Sequence, residues 1–111
     1  MREGQIQVEV FNHLRQRPNG DVFAFHPKND GSRRGGLGAA GIIAGVPDII
    51  AIKDGKTYGL ELKADKGIVS PAQAEVLKTM QAAGATVAVT YGLDRALHVL
   101  EQWGLLKGHS A

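Results

Sequence analysis

Two acidic residues and a lysine stand out in the sequence because their types and spacing suit divalent-metal chemistry. Asp48 begins one apolar stretch, and Glu61 and Lys63 stand two apart in the next. In a strand, residues two apart share a face, so Glu61 and Lys63 lie side by side while Leu62 points the opposite way. Pairing of the two strands brings Asp48 near Glu61. The two carboxylates then offer the hard oxygen ligands that Mg²⁺ or Mn²⁺ prefers, and the backbone carbonyl of Leu62 offers a further oxygen.

Lys63 adds a cation to this group. Beside a metal ion, its ammonium can position the attacking water or help to deprotonate it, and can balance charge in the transition state of phosphate-ester hydrolysis. The alternative is a weak surface ion pair between Glu61 and Lys63, which is common on solvated strands. The flanking segments GVPDIIAI and TYGLELKA are apolar enough for central strands. Buried charges need a compensating role, which favours the chemical interpretation.

The first element that could position a further ligand is a helix predicted from Gln5 to Arg17. Ile6, Val10 and Leu14 recur every four residues and form its buried stripe. Glu9 lies about 60° around the helix from Ile6, at the edge of that stripe rather than on the solvent side.

The remaining periodicity predicts four strands and two more helices. The strands run over Val22 to His26, Val46 to Ile52, Thr57 to Ala64 and Thr86 to Tyr91, and the helices run from Pro71 to Ala83 and from Leu93 to Trp103. Lys53-Asp54-Gly55-Lys56 has the composition of a hairpin turn between the second and third strands. The order of elements predicts an α/β fold with a mixed central β-sheet flanked by α-helices.

Gln73 has two interpretations that do not exclude each other. With Ser70 at the N-cap and Pro71 at the first helical position, Gln73 is the partner residue of a capping box. Alternatively, its amide holds water or phosphate at the site.

The segment 27–38, PKNDGSRRGGLG, is predicted to be a long loop because it has no apolar period and many turn-forming residues. Its polar side chains are candidates for contacts with DNA phosphates: Lys28, Asn29, Arg33 and Arg34. A merely solvated loop is the alternative. The Gly-rich stretch follows no predicted strand and lacks the Gly-Lys-Ser/Thr of a P-loop, so a nucleotide cradle is rejected.

Composition limits the class of protein. The 111 residues suit a single domain, 1–111, and 43% apolar with 22% charged residues is typical of a folded chain rather than a disordered one. The absence of cysteine excludes disulfides and thiolate ligands and favours a reducing compartment. Because the N-terminus lacks a signal-peptide pattern and no stretch reaches the ~18 apolar residues of a membrane span, we expect a cytoplasmic protein without a membrane partner.

The segments GVPD, ELK and SPAQ, in this order and spacing, resemble the PD-(D/E)xK nuclease superfamily. Within it, the chain most resembles the VRR-NUC domain in its stand-alone form found in phages and bacteria. The resemblance covers nearly the whole chain: the first helix with a glutamate, the Asn- and Arg-containing loop, GVPD, ELK, the Ser-Pro-x-Gln helix and the strand after it.

The resemblance implies a restriction-endonuclease-like fold and a metal-dependent endonuclease that hydrolyses DNA, in a bacterial or phage-infected cell. It implies Asp48, Glu61 and Lys63 as active-site residues with Mg²⁺ or Mn²⁺, Glu9 as an additional acid at the metal, and Gln73 near the site. It further implies cleavage of four-way (Holliday) junctions by a homodimer. The alternative function is a catalytically inactive DNA-binding module that keeps the nuclease fold.

The dimer has separate support in the sequence. One site cuts one strand at a time, so coordinated cutting of two strands calls for two copies. The C-terminal region also carries more apolar residues than one face of a short helix needs, and part of this surface is expected at an interface: Leu93, Leu97, Leu100, Trp103, Leu105 and Leu106. The alternative is that Leu105 and Leu106 fold back on the same chain.

Overall fold

The computed structural model describes residues 1–27 and 40–108. In chain order the elements are α1 (Glu3–Gln16), β1 (Phe23–Phe25), β2 (Ile49–Lys53), β3 (Lys56–Lys63), α2 (Pro71–Ala82), β4 (Thr86–Tyr91) and α3 (Leu93–Gln102). All seven predicted elements are present. The largest difference is at the start of β2, which begins after Asp48. There the Leu62 amide of β3 donates to the Asp48 side chain and not to backbone.

The four strands form one mixed sheet in the order β1-β2-β3-β4. Strands β1, β2 and β3 are antiparallel neighbours, whereas β3 and β4 are parallel and are connected through α2. The β2–β3 hairpin closes at Lys53 and Lys56. Its two turn residues, Asp54 and Gly55, both have positive φ, of 50° and 75°. Short hairpin turns require this conformation, and the Asp-Gly dipeptide adopts it readily.

Helices α1 and α3 cover one face of the sheet and bury the main core. The stripe predicted on α1 is buried, since Ile6, Val10 and Leu14 all pack into the core. Leu60 and Leu62 of β3 meet them from the sheet. Because side chains alternate along a strand, Glu61 and Lys63 leave β3 on the opposite face.

Helix α2 lies on that opposite face, and two glycines allow it to approach closely. A Cβ at Gly59 would lie 2.8 Å from Cε of Met80 on α2, and a Cβ at Gly45 would lie 2.6 Å from the backbone oxygen of Ala72. Gly45 also has a φ of 91°, which residues other than glycine rarely adopt. The start of α2 is thereby held against the segment before β2, which carries Asp48, and its end against β3, which carries Glu61.

The C-terminal segment folds back on its own chain. Leu105 and Leu106 are 0% and 2% exposed, and the Trp103 ring lies 5.2 Å from that of Tyr58. The Asn19 amide donates to the Leu105 carbonyl, which fixes the segment beside the end of α1. Leu105 and Leu106 therefore fold back on the same chain, as the alternative expected, and offer no exposed surface for an interface.

Among the described residues, no helix combines the length and the apolar character needed to cross a lipid bilayer.

Candidate metal and active site

The end of β3 brings three carboxylates together. One oxygen each of Glu3, Asp48 and Glu61 lies within 4.8 Å of the others. Glu61 is 1% exposed, and Glu3 and Asp48 are half-buried. Asp48 precedes β2, Glu61 lies on β3 and Glu3 is in the first turn of α1, so the group depends on three elements. Three hard oxygen donors at this spacing suit Mg²⁺ or Mn²⁺, whose usual ligands are carboxylates and water.

The electrostatics of Glu61 fit the same conclusion. Burial, followed by the negative charge of Asp48, raises the pKa of Glu61 from 4.5 to about 7, although Lys63 partly opposes the shift; Glu3 adds a smaller increase. A buried carboxyl beside two others is costly to ionise on its own. A divalent cation would remove that cost, so the donor set matches a metal in charge as well as in chemistry.

Asp48 is held in place from two directions. Its Oδ2 accepts from the Leu62 amide at 2.7 Å, and its backbone carbonyl accepts from Nδ1 of His26 at 2.7 Å. In an antiparallel pair, the N–H and C=O of one residue point towards the same neighbour. The Leu62 carbonyl therefore leaves β3 on the side of Asp48, where it was predicted to serve as a ligand.

Lys63, Gln73 and Glu61 form a closed group of polar contacts. Nζ of Lys63 lies 3.3 Å from Oε2 of Glu61 and donates to Oε1 of Gln73 at 2.9 Å. Nε2 of Gln73 donates in turn to Oε2 of Glu61 at 2.8 Å. Lys63 is 5% exposed, so its ammonium is buried with its partners instead of standing in solvent. The weak surface ion pair considered above is therefore excluded.

The capping-box interpretation of Gln73 is confirmed, and its role in holding water or phosphate stays a prediction. Its backbone amide donates to Oγ of Ser70 at 3.1 Å, and its Oε1 accepts from the Ser70 amide at 2.9 Å, which completes the capping box. The same Oε1 also accepts from Lys63. The start of α2 thus orients the amide that joins Glu61 to Lys63.

The structure does not bring Glu9 into this group. Glu9 lies along a surface groove of α1 with Gln5 and Val8, whereas Glu3 occupies the position by the strands. Both glutamates stand three residues from Ile6 and lie about 60° from it, on opposite margins of the buried stripe. Helical periodicity predicted that a glutamate lies at a margin of the buried stripe, but not which of the two margins faces β3. It therefore missed Glu3.

His26 was also missed as part of the site. The sequence placed it only as the last residue of the first predicted strand; in the structure it directly follows β1 and bonds to Asp48. The sequence carries no signal for this contact except the position of His26 at a strand end. The predicted DNA-contacting residues Lys28, Asn29, Arg33 and Arg34 lie outside the described residues.

The sheet is mixed and four-stranded, with α1 and α3 on one face, α2 on the other, and acidic residues gathered at the end of β3. This arrangement defines a restriction-endonuclease-like α/β fold. A solved structure described as a "VRR_NUC domain protein" matches with a TM-score of 0.74 at 24% identity, over 96% of this chain and 97% of that one. This likeness confirms the VRR-NUC fold expected from GVPD, ELK and SPAQ. Neither the family models nor the curated proteins contain a match to the sequence.

Proposed function

We propose that the chain is a divalent-metal-dependent nuclease that hydrolyses phosphodiester bonds in DNA. The observation that carries the proposal is the meeting of Glu3, Asp48 and Glu61 next to the buried Lys63. The likeness to a VRR_NUC domain protein supports the same function.

Each residue has a role that follows from its contacts. Glu3, Asp48 and Glu61, with the Leu62 carbonyl, would hold Mg²⁺ or Mn²⁺, which supplies Lewis acidity at the phosphate and makes water easier to deprotonate. Lys63 presents an ammonium beside the carboxylates, where it orients the attacking water and offsets charge that develops on the phosphate oxygens. Gln73 limits the freedom of both Glu61 and Lys63, because it bonds to each of them.

The loop residues Lys28, Asn29, Arg33 and Arg34 are proposed to contact phosphates of the DNA backbone. If Arg33 and Arg34 each neutralise one phosphate, replacing both with alanine lowers the slope of log affinity against log salt by about two. An unchanged slope would assign these arginines to a solvated loop.

The proposed substrate includes branched DNA such as four-way junctions, cut by a symmetric homodimer in the cytoplasm. Support comes from the resemblance and from the need for two sites to cut two strands. The buried Leu105 and Leu106 are no longer part of that support. Light scattering at micromolar concentration tests the dimer: a mass near 11.8 kDa together with concerted junction cleavage would rule it out.

The test of the function is nicking of a supercoiled plasmid in Mg²⁺ or Mn²⁺, with EDTA as the metal-free control. We expect Glu61→Gln to abolish nicking with little loss of DNA binding, because it removes a ligand charge and little surface. Lys63→Ala should lower the rate by ~10²-fold or more while metal binding persists. Wild-type protein that binds DNA without cutting it in either metal would instead favour the inactive DNA-binding module.

A further inference from the structure

Two of the three phenylalanines of the chain lie exposed on the edge strand β1. Phe23 is 63% exposed and Phe25 is 40% exposed, and their ring centroids are 5.7 Å apart. Ile52 of β2, which pairs with Phe23, is 41% exposed beside them. The third phenylalanine, Phe11, packs against the core. A chain with so few aromatic residues therefore presents two of them together on its surface.

The strand registers place these rings on the face of the sheet that carries the candidate site. Phe25 pairs with Ile50, and Ile50 pairs with Gly59, so all three side-chain positions share a face. Glu61 lies two residues beyond Gly59 on that same face. Two strand spacings across and two residues along put Phe25 on the order of 12 Å from Glu61.

A second contact ties β1 to the site. His26 follows Phe25 directly and donates from Nδ1 to the Asp48 carbonyl. The strand that displays the two rings therefore ends at one of the carboxylate-bearing residues. A DNA strand whose phosphate lies at Glu61 has bases within reach of Phe25 first and Phe23 next.

We propose that Phe23 and Phe25 form a stacking platform for unpaired bases of the strand that is cut. The inference rests on the proposed nuclease function and specifies its substrate class as DNA with a single-stranded stretch beside the scissile phosphate. Bases in a duplex already stack on their neighbours, so free base faces belong to unpaired nucleotides. The two rings also stand farther apart than the ~3.4 Å step of B-DNA, a spacing that suits an extended strand.

The size of this patch favours bases over a second copy of the chain. The exposed fractions of Phe23, Phe25 and Ile52 leave apolar area on the order of 300 Å², given side chains of ~150–250 Å² each. Each partner in a standard protein interface buries ~800 Å². The patch is far smaller than that, but two rings of this size accommodate one or two bases.

The test compares wild-type protein with a Phe23→Leu/Phe25→Leu variant, which keeps apolar side chains but removes the rings. The probes are a blunt duplex and the same duplex with an unpaired tail that carries 2-aminopurine. Both proteins also carry Glu61→Gln, which blocks cleavage. Because the variant loses base–aromatic stacking, we expect about a fivefold or greater loss of affinity for the tailed DNA. Affinity for the blunt duplex should stay within about twofold, and quenching of 2-aminopurine should disappear.

Val8→Ala is the matched control, because Val8 is a 59% exposed apolar residue on α1, which covers the other face of the sheet. It should change neither affinity. The platform is overturned if the leucine variant binds tailed DNA as tightly as wild type, or if both DNAs weaken equally. It is also overturned if the variant changes from two chains to one in light scattering, which would make the patch an interface between copies.

The two proposals fail separately. Metal-dependent nicking by the wild type with no preference for the tail in binding would leave the nuclease and remove the platform. A tail preference that is lost in the leucine variant, in a protein that cuts no DNA, would leave the platform and remove the nuclease.

Discussion

Gln73 connects folding to chemistry at the scale of single residues. Its Oε1 accepts from both the Ser70 amide and Lys63, and its Nε2 donates to Glu61. The amide thus uses both of its ends, with the oxygen towards the donors and the nitrogen towards the carboxylate. A capping interaction that is worth ~1 kcal/mol in an ordinary helix here also sets the geometry of a buried Glu–Lys pair. The same atoms therefore contribute to the stability of α2 and to the order of the site.

The choice between Glu3 and Glu9 gives a prediction with an internal control. Glu3→Gln removes one of the three converging carboxylates, so calorimetric Mn²⁺ affinity should fall about tenfold or more. Glu9→Gln makes the same chemical change on the same helix, three residues to the other side of Ile6, and should leave affinity within about twofold. A larger effect at Glu9 than at Glu3 would contradict the assignment and restore the expectation drawn from the sequence.

At the scale of elements, the site depends on how closely α2 docks. The segment before β2 carries Gly45, and the backbone of Ala72 in the first turn of α2 lies against it. Asp48 follows Gly45 by three residues, and Gln73 follows Ala72 by one. A displacement between Gly45 and Ala72 would therefore move Asp48 away from Gln73, and these two residues lie on either side of Glu61.

Replacing Gly45 tests this contact. Gly45→Ala adds a Cβ 2.6 Å from a backbone oxygen at a φ of 91°. Gly41→Ala has a similar φ of 80°, but its Cβ meets no atom of the described residues within 4 Å. We expect Gly41→Ala to cost ~1–2 kcal/mol of unfolding free energy from the backbone alone. Gly45→Ala should cost more in urea denaturation and should also slow nicking at least tenfold. Equal losses of stability and equal nicking rates for the two variants would mean that the docking of α2 tolerates the extra atom.

At the scale of the whole molecule, the carboxylate group costs stability when no metal is present. Burial and the nearby Asp48 raise the pKa of Glu61 to about 7, above its ordinary value of 4.5. The folded chain then keeps its proton at pH values where the unfolded chain has released it. Stability linked to Glu61 is fully present below pH 4.5 and is lost as the pH rises through about 7. The rest of the fold has to offset this loss.

We therefore expect urea unfolding in EDTA to show a decline in stability between pH 5 and pH 8, of a few kcal/mol at most. Glu61→Gln removes the titrating carboxyl, so the difference between variant and wild type isolates this contribution from the histidines. The variant should be the more stable protein at pH 8 without metal, and added Mn²⁺ should reduce the decline only in the wild type. Parallel pH profiles for the two proteins would contradict the raised pKa.

The elements followed from the sequence because their signals are local. Each signal lies within one short segment: the stripe of Ile6, Val10 and Leu14, the Asp54-Gly55 turn, the Ser70–Gln73 capping box and the strand Thr86–Tyr91. The proximity of Asp48, Glu61 and Lys63 also followed from the sequence. Strand alternation puts Glu61 and Lys63 on one face, and the short hairpin brings Asp48 to them. The VRR-NUC fold was expected on these motifs and was confirmed by the solved structure.

Only the tertiary structure decided which side chains complete the site. Glu3 and Glu9 are equivalent by helical angle, and the packing of α1 against β3 distinguishes them. His26 meets Asp48 because β1 lies beside β2, a pairing that no local period encodes. Leu105 and Leu106 are buried because the chain returns to the end of α1. Each of these outcomes depends on distances between segments far apart in sequence, and local propensity carries no information about such distances.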